Sequence, residues 1–174
     1  IIDGSTIKDQ DIIIGLASSG VHSNGYSLVR SALGKDGLDI DLNSTPNGWD
    51  ETIASAVMRP TKLYVKAAIS AAKTGKIHGM AHITGGGMYG NVIRVIPQGL
   101  DIEIDFSSWT RPKIFDLIQS AGVEEEEMRK VFNLGIGYVL IIDKNDLEEV
   151  TEALAATGET PVIIGSVKKC LSRA

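Results

Sequence analysis

The stretch with the most chemical potential is Gly15-Leu16-Ala17-Ser18-Ser19-Gly20-Val21-His22-Ser23-Asn24-Gly25-Tyr26-Ser27-Leu28. It lies between an apolar run (Ile12, Ile13, Ile14) and an apolar-periodic one (Leu28, Val29, Leu33). That order predicts a strand, a small polar loop and a helix. Such a junction turns backbone N–H groups and the positive end of a helix dipole toward an anion, either phosphate or carboxylate. The interval from Gly20 to Gly25, followed by Tyr26-Ser27, approaches a P-loop from which the lysine is missing. The hydroxyls of Ser18, Ser19, Ser23 and Ser27 suit phosphate or amide ligands better than nucleophiles, because no G-x-S-x-G elbow surrounds them. His22, in a polar loop expected to be accessible, is the best candidate for acid–base work.

A second glycine-rich junction is His82-Ile83-Thr84-Gly85-Gly86-Gly87. Three consecutive glycines cost backbone entropy, so either a ligand approaches closely or the turn packs tightly against a neighbouring helix. Two such junctions favour the ligand, since strand ends can converge on one cleft. Asn133 opens a third buried run, and Gly137 within it marks a bulge or close strand packing. His22, His78 and His82 are the only histidines, and no carboxylate or cysteine joins them at metal-ligand spacing. Lys62, Lys66 and Lys73 read as a solvated helix face, and Glu124–Glu127 as solvated acidic residues in a first helical turn.

The elements that must position these residues emerge from periodicity. Strands are expected at Asp11–Ser18, Ile77–Thr84, Leu100–Phe106, Gly135–Ile142 and Pro161–Val167. Helices are expected at Ser23–Leu33 (capped by Ser23 or Asn24), Thr52–Met58, Lys62–Lys73, Met88–Val95, Pro112–Ala121, Glu124–Phe132 and Asn145–Ala156. Gly34–Trp49 reads as a long irregular loop. Helices interleaved with about five or more strands imply an α+β (α/β-like) layer built on a mixed sheet covered by helices. The 174 residues suffice for one buried core, with residues 1–10 as the end of a connection, 11–168 as the domain and 169–174 as a tail. A net charge of −5 argues against nucleic acid or an anionic membrane as partner, so any anion site must be local. The single cysteine, Cys170, forbids an intrachain disulfide and fits a reducing, cytoplasmic setting.

Four motifs in one order carry a resemblance. They are the Gly15–Leu28 stretch, Arg59-Pro60-Thr61-Lys62-Leu63-Tyr64-Val65, His78-Gly79-Met80-Ala81-His82-Ile83-Thr84-Gly85-Gly86-Gly87, and Phe132-Asn133-Leu134-Gly135-Ile136-Gly137. Together they resemble the C-terminal half of phosphoribosylformylglycinamidine cyclo-ligase (AIR synthetase). The resemblance implies ATP-dependent closure of formylglycinamidine ribonucleotide to aminoimidazole ribonucleotide, with ADP and phosphate released. It implies that Ser18, Ser19, Gly20, His22, Ser23, Asn24, Gly25, Thr84, Gly85, Gly86 and Gly87 line the cleft, and His82 and Asn133 join them as candidates. It implies further that ATP and Mg2+ are bound mostly through an N-terminal domain, that the intact protein is a homodimer, and that this half alone is inactive. The alternatives are a non-catalytic anion-binding or assembly module and a domain of a related ATP-using enzyme of the formylglycinamidine ribonucleotide synthetase, selenophosphate synthetase or thiamine-phosphate kinase type.

Overall fold

The computed structural model describes residues 1–170. Five strands, β1 (Ile12–Ala17), β2 (Ile77–His82), β3 (Leu100–Ile104), β4 (Ile136–Ile142) and β5 (Val162–Lys169), form one sheet in the order β2-β4-β1-β5-β3. The described residues also form α1 (Tyr26–Leu33), α2 (Ile53–Met58), α3 (Val65–Lys73), α4 (Gly87–Val92), α5 (Lys113–Gln119), α6 (Glu125–Val131) and α7 (Leu147–Ala155). The α+β class and the strand count match the expectation, but the sheet is not mixed. All four strand pairs are antiparallel.

The reason lies in strand order. Helical connections do join strands of like direction, β1 to β2 and β4 to β5, as crossovers require. Each such pair is then split by an oppositely directed strand: β4 fills the slot between β1 and β2, and β1 the slot between β4 and β5. No two strands consecutive in the chain are neighbours.

β1 sits at the centre and is buried on both faces, which explains its unbroken isoleucines. Ile13 joins Val139, Ile141 and Ile164 against Met88 and Val92 on one face. Ile14 and Leu16 join Leu140 and Ile142 against Ala67, Ala71, Val150 and Leu154 of α3 and α7 on the other. A third cluster among α1, α2, α5 and α6 contains no strand residue. Phe115 and Phe132 meet in it at 5.6 Å between ring centroids, and burying each ring stabilises the fold by about 1.5–3 kcal/mol.

Two helices begin later than their periodicity suggests. α1 starts at Tyr26, and neither Ser23 nor Asn24 caps it; Gly25 holds that position with φ 78°. A Cβ at Gly25 would lie 2.4 Å from the Phe132 ring, so glycine is required by conformation and by space. α3 starts at Val65, because Lys62 and Tyr64 reach back to the end of β1. β5 continues to Lys169, while 171–174 of the expected tail lie outside the described residues. No helix among the described residues is long and apolar enough to cross a membrane.

At the N-terminal end of β1, Asp11 is buried with its Oδ2 accepting from Lys8 N–H (3.0 Å) and lying 2.6 Å from His78 Nδ1 on β2. The pair ties two strands separated by β4. A His78→Ala variant leaves the buried Asp11 Oδ2 with the Lys8 N–H as its one remaining partner and breaks the link to β2. Urea denaturation is therefore expected to show a loss of about 1–3 kcal/mol. An unchanged midpoint would remove the pair from the fold's energetics.

Candidate functional site

The loop leaving β1 is held from two sides. From below, Ser18 N–H donates to Gly135 O at 2.8 Å, and Asn133 Nδ2 donates to Gly20 O at 2.8 Å. Asn133 Oδ1 accepts from Gly135 N–H at 2.8 Å, so the buried amide joins the approach to β4 with the loop after β1. From outside, residues 59–64 form a strap across the loop. Ser19 Oγ donates to Pro60 O (2.7 Å), Ser23 and Thr61 hydroxyls pair at 2.8 Å, and Arg59 Nη1 donates to Ser19 O (3.1 Å). Lys62 Nζ and Tyr64 Oη both donate to Ala17 O, at 3.2 and 2.8 Å.

Lys62 is therefore not on the solvated helix face expected of it: it is ion-paired to Glu159 at 2.8 Å and lies 5.4 Å from the Tyr64 ring centroid. Arg59 is likewise paired, to Glu51. Two cations, Arg59 and Lys62, thus lie beside the P-loop-like stretch that lacks its own lysine, both committed to carboxylates and carbonyls. The hydroxyls of Ser18, Ser19 and Ser23 are also bonded within the loop and strap. What remains for an anion is backbone N–H, chiefly the first turn of α1, whose amides have no intrahelical acceptor, together with the Asn24 side chain.

His22 is not accessible. It is 3 % exposed, in the left-handed region at φ 61°, with its ring over Gly137, where a Cβ would lie 2.6 Å from His22 Cε1. Nε2 accepts from Ser19 N–H at 3.1 Å, so the neutral ring carries its proton on Nδ1, which has no partner. Burial, then the nearby His82 and Lys62, push its pKa down to about 4. The imidazole is neutral near pH 7 and shapes the loop through Ser19. The polarity of its neighbours in sequence pointed to exposure; the bulge in the β1–β4 register, between Leu16 and Ala17, instead leaves space for the ring above Gly137.

The second loop is governed by a residue that the sequence reading overlooked. Asn91 Nδ2 lies 3.2, 3.3 and 2.7 Å from the carbonyls of Thr84, Gly85 and Gly87, and Asn91 Oδ1 accepts from Thr84 Oγ1 at 3.0 Å. Its only signal was an asparagine seven residues beyond a threonine that precedes three glycines. Gly87 itself is buried against α6, where a Cβ would fall 1.8 Å from Arg129 O; tight helix packing explains that glycine. Gly85 and Gly86 are exposed.

The two loops adjoin, with Asn24 Oδ1 3.6 Å from the position a Gly85 Cβ would take. Beside them the exposed His82 approaches Tyr64 (5.9 Å), Tyr138 (6.2 Å) and His22 (6.3 Å) between ring centroids. His82, Tyr64 and Tyr138 border a cleft of about 270 Å³ that also includes Thr61 and Lys62, with the buried His22 behind it. Asn24, His82, Thr84, Gly85 and Gly86 thus lie near one another, with Ser23 and Gly25 flanking Asn24, Ser18 just beyond β1, His22 and Asn133 buried beneath and Gly87 turned away. Ser19 and Gly20 instead line a separate cleft of about 220 Å³ with Trp49, Glu51, Arg59 and Ile114. A larger cleft of about 560 Å³ between α1 and α2 contains none of these residues. No group of three or more His, Cys, Asp or Glu among the described residues is placed to hold a metal ion.

His22 gives a signed pH prediction. Its folded pKa, about 4, lies below the ordinary 6.5, so its contribution is fully present above about pH 6.5 and is lost as pH falls through about 4. The slope is at most about 1.4 kcal/mol per pH unit. Urea titrations from pH 7 to 4 should show this slope for the native chain and a flatter one for His22→Asn, which tolerates positive φ. Identical slopes would mean that His22 is not held neutral.

Residues 8–171 match the family described as AIR synthase related protein, C-terminal domain. The phosphoribosylformylglycinamidine cyclo-ligase of Geotalea daltonii is 45% identical over 171 residues, covering 98% of this chain and 49% of the relative. The chain spans about half the length of the curated relatives it matches. The thiamine-monophosphate kinase of Stenotrophomonas maltophilia K279a shares the fold at TM-score 0.60 and 12% identity, over 97% of this chain and 51% of that one. T. maritima PurL complexed with AMPPCP does so at TM-score 0.54 and 9% identity, over 97% of this chain and 23% of that one. The extended family match, over nearly all of the fold just described, shows that the chain belongs to the AIR synthase related proteins and corresponds to their C-terminal domain.

Proposed function

We propose that the chain is the C-terminal domain of an ATP-dependent cyclo-ligase that converts formylglycinamidine ribonucleotide to aminoimidazole ribonucleotide. In this reaction the formyl oxygen takes the γ-phosphoryl group of ATP, the amidine nitrogen attacks the activated carbon, and phosphate leaves with that oxygen. ADP, phosphate and a proton complete the balance. One observation carries the assignment to this region: two glycine-rich loops, each fixed by a buried asparagine amide, meet beside an aromatic cleft. The relatives' name supplies the reaction.

The first loop holds a phosphate through backbone N–H groups, and the strap keeps those groups in place before binding. Pre-set donors of this kind favour phosphoryl transfer because they need no reorganisation as charge develops. His22 acts as a positioning residue through Ser19, and His82 faces the bound substrate. Among the described residues no group of three or more His, Cys, Asp or Glu is placed to hold Mg2+; metal ligands and most contacts to ATP come from the preceding half of the enzyme. Accordingly the isolated chain does not turn over, and the intact enzyme is a cytoplasmic homodimer.

Two measurements test this reading. Inorganic phosphate titrated into the labelled chain should shift the amide NMR signals of Ser19–Gly25 and of Tyr26–Leu28; silence there would count against the loop as an anion site. ADP release with formylglycinamidine ribonucleotide and ATP should stay at background for this chain alone. Turnover by the chain alone would refute the division of labour between the two halves.

A further inference from the structure

From Met58 to Ile69 the chain exposes large apolar side chains in close succession: Met58 71 %, Leu63 85 %, Val65 64 % and Ile69 52 %. The strap explains why they point outward. Lys62 and Tyr64 turn in to reach Ala17 O, which leaves Leu63 between them 85 % exposed, and Val65 opens α3 on its exposed side. Ile69 follows Val65 by four residues in α3 and shares its helical face. The inward contacts therefore impose an outward apolar ridge that single scattered surface residues would not produce.

The ridge is continuous with the candidate site. Leu63 and Val65 line the same cleft as His82 and Tyr138. β2, at the sheet edge, carries His82 at its end. Lys66 and Lys73, both exposed, lie three and four residues from Ile69 and have no ion-pair partner among the described residues. An apolar strip bordered by unpaired cations fits an apolar partner surface with acidic residues at its rim. It suits a second copy of the same strip poorly, since the lysines would be brought toward one another.

From this placement we infer that the Leu63–Val65–Ile69 ridge is the surface on which the preceding half of the enzyme seats, with acidic groups of that half facing Lys66 and Lys73. The relatives are about twice the length of this chain, so each has a covalently attached occupant of domain size. The inference rests on the reading that the chain works joined to such a half. It adds where the halves meet, and it makes the aromatic cleft a junction closed from that side.

The test joins this chain behind the preceding half of the Geotalea daltonii relative and follows amide hydrogen exchange at residues 58–73. Relative to the chain alone, exchange there should slow at least tenfold. Leu63→Ser/Val65→Ser/Ile69→Ser and Lys66→Glu/Lys73→Glu should each abolish most of that protection. Ile163→Ser, at an exposed residue on β5, should leave it intact. Protection that is absent, lies elsewhere, or survives both ridge variants overturns the inference. So does sedimentation of the chain alone as a dimer that the ridge variants dissociate, which would assign the ridge to a second copy. ADP release by the same fusion separates the two readings: a protected ridge without turnover sinks the reaction and leaves the interface standing, and turnover with an exposed ridge does the reverse.

Discussion

The antiparallel pairing of β1 with β4, and its one irregularity, set the terms for everything else. Through most of its length the pair is regular and buried on both faces. Between Leu16 and Ala17 the register slips, and Gly137 is left without a side chain to fill the space that opens. His22 fills part of it and Tyr64 the rest. The same slip ends the ladder at Ala17, whose carbonyl then serves two side-chain donors of the strap. A bulge at a strand end re-aims the residues beyond it, and here it converts a core strand into the rim of a cleft.

Each glycine loop is governed by an asparagine that never faces the cleft. Asn133 and Asn91 are both buried, and both have their amides bonded chiefly to main-chain groups. A carbonyl tied inward fixes the plane of its peptide, and that orients the adjoining N–H. Donor geometry is thus settled in the interior, beyond competition from solvent. The hydroxyls of Ser18, Ser19 and Thr84 contribute to the same end.

Strand and helix positions were legible because their signals are local. The isoleucine run of β1, the alternation around Leu100–Ile104 and the proline beside α5 each report on a few neighbouring residues. Strand direction was not legible, since it depends on which distant strand enters the slot between two others. The two glycine junctions were visible as spacing, and their adjacency emerged only through the sheet. His22 misled because its neighbours in sequence are polar while its neighbours in space are Gly137, Tyr64 and His82. Asn91 and the strap cation Lys62 act at long reach or across a turn, and no periodicity marks them. The start of α3 was set too early for the same reason: helical spacing continues through Lys62, but a carbonyl forty-five residues upstream claims it.

The strap's grip on the first loop has a consequence for how such a sequence can change. Arg59, Lys62 and Tyr64 all seize carbonyl oxygens, of Ser19 and Ala17, and Ser19 in turn seizes that of Pro60. A carbonyl oxygen is offered by any residue, so the identities at positions 17 and 60 are free to drift without loosening the clasp. The donors have no such freedom. Substitution pressure is therefore lopsided across a single contact, and a comparison that ranked positions by variability alone would overlook half of the clasp.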